Sequence, residues 1–155
     1  MPKLEVLENK KLVLNNVLKK ELRSINMGDL DKELMNFTKK LELLKVQTFG
    51  PLIIKNYGAS ILDDGSVVTD YDLIVQAHDY KQYKNEFMIE DKHECHHCIY
   101  VHFEGKPEYL AYAHSKLDLY FYENDILDSG TGYTVCLQEN DEYVEVDVFR
   151  QVLKI

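Results

Sequence analysis

Two helical stripes, each followed by a pair of strand-like runs, limit what this chain can fold into more than any other feature. In "DLDKELMNFTKKLELLK", Asp29 to Lys45, the residues Leu30, Leu34, Phe37, Leu41 and Leu44 recur at three and four. That spacing puts them on one face of a helix, opposite a Lys/Glu face. Asp29 or Asn26 suits the cap beside Gly28. Lys106 to Asn124 repeats the arrangement with Leu110, Ala113, Leu117 and Phe121, and Pro107 sits where a first-turn proline is tolerated.

Strand signals surround both stripes. "FGPLIIKNYG" opens at Gly50–Pro51 and stops near Gly58, "DDGS" is a turn, and "TDYDLIVQAH" alternates through Tyr71, Leu73, Val75 and Ala77. "CIYVHFEG" precedes the second helix, and "GYTVCLQ" with "EYVEVDVFRQV" forms a closing hairpin across "ENDE". Lys11 to Lys20 reads as a strand or a short helix, and Asp79 to Cys95 as a polar connector. The order is therefore β-α-β-β twice. It predicts an α+β fold of duplicated β-α-β-β units, with one antiparallel sheet and two helices on one face, in a single domain over 1–155.

Charge narrows the partners. Twenty-seven acids against 18 bases give a formal charge of −9, which repels a phosphate backbone, so no nucleic-acid partner is expected. No apolar run nears the roughly 20 residues a bilayer span needs, so no membrane is expected either. "MPKLEVLENKK" lacks the apolar core of a secretory leader, and three cysteines make a poor disulfide framework. The expected location is the cytoplasm, with the thiols reduced.

The densest chemistry lies in "DKHECHHCIYVHF", Asp91 to Phe103, which holds four of the six histidines and two of the three cysteines. Zinc needs four converging ligands, and Cys95 and Cys98 have no second C-x-x-C or H-x-x-x-H elsewhere. A redox C-x-x-C normally sits at a helix N-terminus, whereas this one runs into a strand. The expectation is an ordinary loop entering a strand, with no metal and no cofactor.

Strand parity points to a different surface. Val144, Val146 and Val148 should face the helices, leaving Tyr143, Glu145 and Asp147 on the opposite face. On "CIYVHF", Ile99, Val101 and Phe103 take the core side, and Cys98, Tyr100 and His102 the other. Eleven tyrosines are many for this length, and Tyr57 and Tyr71 also fall on strands. Aromatic rings around a carboxylate suit a lipophilic cation, at roughly 0.5–2 kcal/mol per cation–π contact. The candidate ligand-binding residues are thus Glu145, Tyr100, Tyr143, Tyr71, Tyr57 and Asp147. Tyr71 is the weakest, because its parity places it with Leu73 and Val75. No serine or lysine sits in a nucleophile motif, so no catalytic residue is assigned.

The chain resembles the bacterial effector-binding, or DNA-gyrase-inhibitor-like, domain superfamily. The marks are the duplicated order, Gly50–Pro51 in "FGPLII" after the first helix, and Glu145 in "VEVDVFRQV". In the family that glutamate precedes an Ile-Pro-Val ending; here Phe149 and Arg150 stand at the first two of those positions. The "GPLI…DDG…YDL" phrasing is similar to small stand-alone members from Gram-positive bacteria. The resemblance implies a module that binds a small aromatic or cationic ligand through Glu145; no helix-turn-helix pattern precedes the first helical stripe, so no DNA-binding domain of its own is expected. Two alternatives stay open. One is a homodimer or other protein-interaction component, of an accessory or immunity-like kind, with no open pocket. The other is a small hydrolase using Glu145 with Tyr100.

Overall fold

The computed structural model describes residues 4–153; the ends of the 1–155 span lie outside the described residues. The fold is α+β, and the chain packs as two compact units. One unit is Leu14–His93; the other joins the residues up to Val13 with those from Glu94 onward. Strand β1 (Val6–Asn26) and strand β4 (Met88–Gly105) each contribute a stretch to both.

In the Leu14–His93 unit, β1 leads into helix α1 (Leu30–Leu43), strand β2 (Thr48–Ile61) and strand β3 (Val67–Ala77). β3 pairs antiparallel with both β1 and β2, with Leu18 opposite Val75 and Ile53 opposite Ile74. The α1 stripe packs as its spacing requires. Phe37 and Leu41 are buried, and Leu30, Leu34 and Leu44 close around a core of Leu18, Leu22, Leu73 and Val75. Both faces of β3 are covered, since Ile74 is also fully buried.

α1 ends where Lys45 takes a left-handed conformation (φ 57°), letting Val46 N–H donate to the Leu41 carbonyl at 3.0 Å. Gly50 then bends β2 into a bulge at φ 71°. A Cβ there would come within 3.1 Å of Gln76 Nε2, so glycine suits both the conformation and the space.

The other unit carries the second part of β4, helix α2 (Leu110–Glu123), strand β5 (Asp128–Glu139) and strand β6 (Val144–Val152). β6 pairs antiparallel with β4 and with β5. Ala113, Leu117 and Phe121 of α2 meet Ile99, Val101 and Phe103 of β4 and Val144, Val146 and Val148 of β6 in one core. Asp125 (φ 54°) ends α2 as Lys45 ends α1, and Gly130 (φ 84°) lies in a bulge of β5.

Of the two alternatives for Lys11 to Lys20, the strand is the one formed, and it belongs to a β1 of 21 residues. Asn9, Asn16 and Ser24 interrupt it with φ near 55°, a region that asparagine tolerates as a single residue. The Ser24 N–H, turned out of the ladder, is taken up by Asp70 Oδ1 at 2.8 Å.

The connector from Asp79 to Cys95 is mostly structure rather than loop. A 3-10 turn covers Tyr80–Tyr83, and β4 has begun by Met88. Buried Tyr80 and Phe87 anchor it, Phe87 meeting Phe37 edge-on at 5.7 Å. Polar composition concealed a strand whose anchors lie at its entrance.

Candidate functional site

Cross-strand neighbours share a sheet face. β4 and β6 place Tyr100 opposite Phe149, His102 opposite Asp147, and Glu104 opposite Glu145. β5 adds Tyr133 opposite Phe149 and Val135 opposite Asp147. This face, turned away from the α2 core, has an aromatic and apolar floor, with Tyr133 and Val135 buried. Tyr100 and Phe149 pack with ring centroids 5.0 Å apart.

The acids stand along one edge of that floor. Tyr100 O–H donates to Asp147 Oδ1 at 2.6 Å, and His102 Nδ1 lies 2.7 Å from the same oxygen. With Nδ1–H donating, the other ring nitrogen faces Glu145 Oε2 at 3.2 Å and Glu104 Oε2 at 4.0 Å. Tyr143 O–H donates to Glu104 at 2.8 Å. Of the side chains, Asp147 is 23 % exposed and Glu145 29 %, sheltered enough for a charge to matter and open enough to be reached.

The protonation states follow from these contacts. The Asp147 hydrogen bond leads in holding the His102 pKa above its ordinary value, with Glu145 and Glu104 adding and partial burial opposing. Burial, then Asp147, pushes the Tyr100 phenol well above its usual range, so it stays a donor. The hydrogen bond to Glu104 raises the Tyr143 phenol as well.

Of the six residues expected from sequence, Tyr100, Tyr143, Glu145 and Asp147 are thus gathered in this unit. His102, Glu104, Tyr133 and Phe149 join them. Parity had placed His102 on this face, but the cross-strand register that pairs it with Asp147 is not written in local sequence.

Tyr57 and Tyr71 belong to the Leu14–His93 unit. Tyr71 is buried in its apolar core with Leu73 and Val75, as its parity suggested. Tyr57 O–H donates to Asp72, whose side chain is completely buried. Arg23 Nη1 lies 3.0 Å and Lys19 Nζ 4.0 Å from Asp72, and Lys19 reaches Glu90 at 2.7 Å. The Arg23 guanidinium sits 5.0 Å from the centre of the Tyr57 ring. Burial, then Asp72, raises the Tyr57 phenol well out of its usual range. Asp72 gave no signal in sequence beyond a polar residue in an apolar strand.

Among the described residues, one group of three metal-capable side chains converges: His102, Glu104 and Glu145, with ligand atoms all within 4.8 Å of one another. Nitrogen and oxygen donors of this kind suit a divalent ion. The rest of the His/Cys stretch, from His93 to Cys98, forms no such group of three among the described residues. His93 turns to Glu90 at 3.2 Å and His96 to Glu94 at 2.6 Å. The purified chain is therefore expected to hold no stoichiometric zinc at Cys95 and Cys98. Elemental analysis finding about one zinc per chain, lost in both Cys95→Ser and Cys98→Ser, would contradict this.

No family model matches the chain, and no curated protein matches it in sequence. Solved structures do match in fold. SAV2435 bound to tetraphenylphosphonium is 11 % identical, with a TM-score of 0.53, over 98 % of this chain and 94 % of that one. A hydrolase encoded by lin2189 from Listeria innocua is 10 % identical, with a TM-score of 0.53, over 97 % and 92 % of the two chains. EcmrR, in a cryo-EM complex with DNA, is 12 % identical with a TM-score of 0.64; 99 % of this chain covers 58 % of that one. Identities this low establish a shared fold and leave function to the site.

Proposed function

We propose that this chain is an effector-binding domain, of the DNA-gyrase-inhibitor-like kind, that binds a small lipophilic or aromatic cation. On this reading residues 1–155 form one domain built by duplication of a β-α-β-β unit. Matching registers support the duplication. Asp72 lies opposite Lys55 in one unit and Asp147 opposite Val135 in the other. Both helices end on a left-handed residue, and a left-handed glycine follows in the bulge of the next strand.

The observation that carries the function is the Tyr100–Phe149 floor beside Asp147 and Glu145. Rings supply apolar area and attract a cation through their faces, and the partly sheltered carboxylates supply countercharge. That SAV2435, of like fold, binds tetraphenylphosphonium supports the same ligand class here. Tyr57 beside Asp72 is an aromatic–carboxylate pair of similar chemistry in its own unit, and a ligand contact there is part of the proposal.

His102 gives the reading a pH signature. When protonated, it adds a positive charge between Asp147 and Glu145 and competes with an incoming cation. Because its pKa is raised, that competition persists above the ordinary histidine range and ends as pH rises through the raised value. Stability runs the other way: the imidazolium's contribution is complete below the ordinary pKa and is lost as pH rises through the raised one.

Affinity for tetraphenylphosphonium is therefore expected to rise roughly threefold to tenfold between about pH 5.5 and about pH 8.5, the effect of one charge at partial exposure. His102→Gln should flatten the curve, and a neutral analogue such as triphenylphosphine oxide should show no slope. Calorimetric titration at low and high salt reads all three. Absence of saturable cation binding would sink the proposal and favour a protein-interaction role. An unchanged slope in His102→Gln would remove His102 from the site.

A further inference from the structure

We propose that Cys95 and Cys98 form a reversible thiol modification site, which a small-molecule disulfide converts to an intramolecular disulfide. In a regular strand, residues three apart point to opposite faces, with their Cα atoms about 10 Å apart. Here the Sγ atoms lie 3.0 Å apart. The cause is His97, whose φ of 59° reverses the parity of β4 between the two cysteines.

Both thiols are buried, at 2 % and 0 % exposure, while the intervening His96 and His97 are exposed. The pair is therefore held together by its neighbours, and a local opening of β4 at His96 and His97 is the route to it. The cation-binding face does not use these sulfurs, and the site stands or falls without that reading.

The chemistry balances through thiol–disulfide exchange. One cysteine thiolate attacks oxidised glutathione, forming a mixed disulfide and releasing one glutathione thiolate. The second cysteine thiolate attacks the protein sulfur of that mixed disulfide and releases the other. The protein loses two hydrogens and the small disulfide becomes two thiols. The Cys98 thiol is held strongly on the protonated side, first by its bond to Cys95 and then by burial, so exchange quickens as pH rises. Cys136, pushed up to about 11 by burial, is the chain's remaining cysteine.

The test equilibrates the folded chain with mixtures of oxidised and reduced glutathione. It is then quenched in acid, its remaining thiols are blocked with N-ethylmaleimide in denaturant, and the intact protein is weighed. Reduced chains should take three maleimides, one for each cysteine. Oxidised chains should take one, at Cys136, and be lighter by two hydrogens, with peptide mapping placing the link at Cys95–Cys98. Cys136→Ser should close equally well, whereas Cys95→Ser and Cys98→Ser should not.

The equilibrium constant for closure should be at least about tenfold larger in the folded chain than in urea, because the fold supplies the proximity. Three maleimides on the folded chain at every glutathione ratio would overturn the proposal. So would a glutathione adduct as the end state, or equal constants in buffer and urea.

Discussion

Glu145→Gln is expected to weaken tetraphenylphosphonium binding roughly 5- to 150-fold, about 1–3 kcal/mol, while leaving the fold intact. Glutamine keeps the shape and removes the charge. The Glu145 side chain is 29 % exposed and lies 3.2 Å from the His102 ring, so a loss near the middle of that range fits a partly desolvated charge. Position makes the expectation specific. Glu145 is cross-strand from Glu104 and two residues from Asp147, beside the Tyr100–Phe149 floor. The direct measurement is titration of parent and variant in parallel at two ionic strengths. A loss within a few tenths of a kcal/mol that vanishes in salt would mark Glu145 as a solvated surface acid. Equal affinity in the two proteins would remove it from the site.

The second large effect is on stability. Asp72→Ala should lower the free energy of unfolding by about 2 to 4 kcal/mol. Asp72 is wholly buried and accepts from Tyr57, with Arg23 at 3.0 Å and Lys19 at 4.0 Å. Removing it strands these donors, but not completely. Arg23 is 43 % exposed and can turn to water, and Lys19 keeps Glu90 at 2.7 Å. That relief places the cost toward the low side of a broken buried pair. Asp147→Ala is the internal comparison. Asp147 holds the matching register position but is 23 % exposed, and its partner His102 is 38 % exposed, so about 1 kcal/mol or less is expected. Urea unfolding with unchanged m-values reads both. An Asp72→Ala loss below about 0.5 kcal/mol would show that the buried charge contributes no more than an apolar replacement.

The two helices, their buried faces and most strands are legible in the sequence because those signals are periodic and local. Leu30, Leu34, Phe37 and Leu41 can share a face only on a helix, and the alternating valines of β6 have one way to meet a core. The same parity set Tyr100, Glu145 and Asp147 on the face away from the α2 core, and placed Tyr71 with Leu73 and Val75. What tertiary structure decided depends on partners remote in the chain or on a single backbone reversal. Asp72 differs from any other strand aspartate only because Arg23, Lys19 and Tyr57 close over it. Met88 to Cys95 is strand despite its polarity, because Tyr80 and Phe87 anchor its entrance. Cys95 and Cys98 are neighbours because His97 turns left-handed, and a pattern counted in twos carries no mark of the residue at which the count reverses.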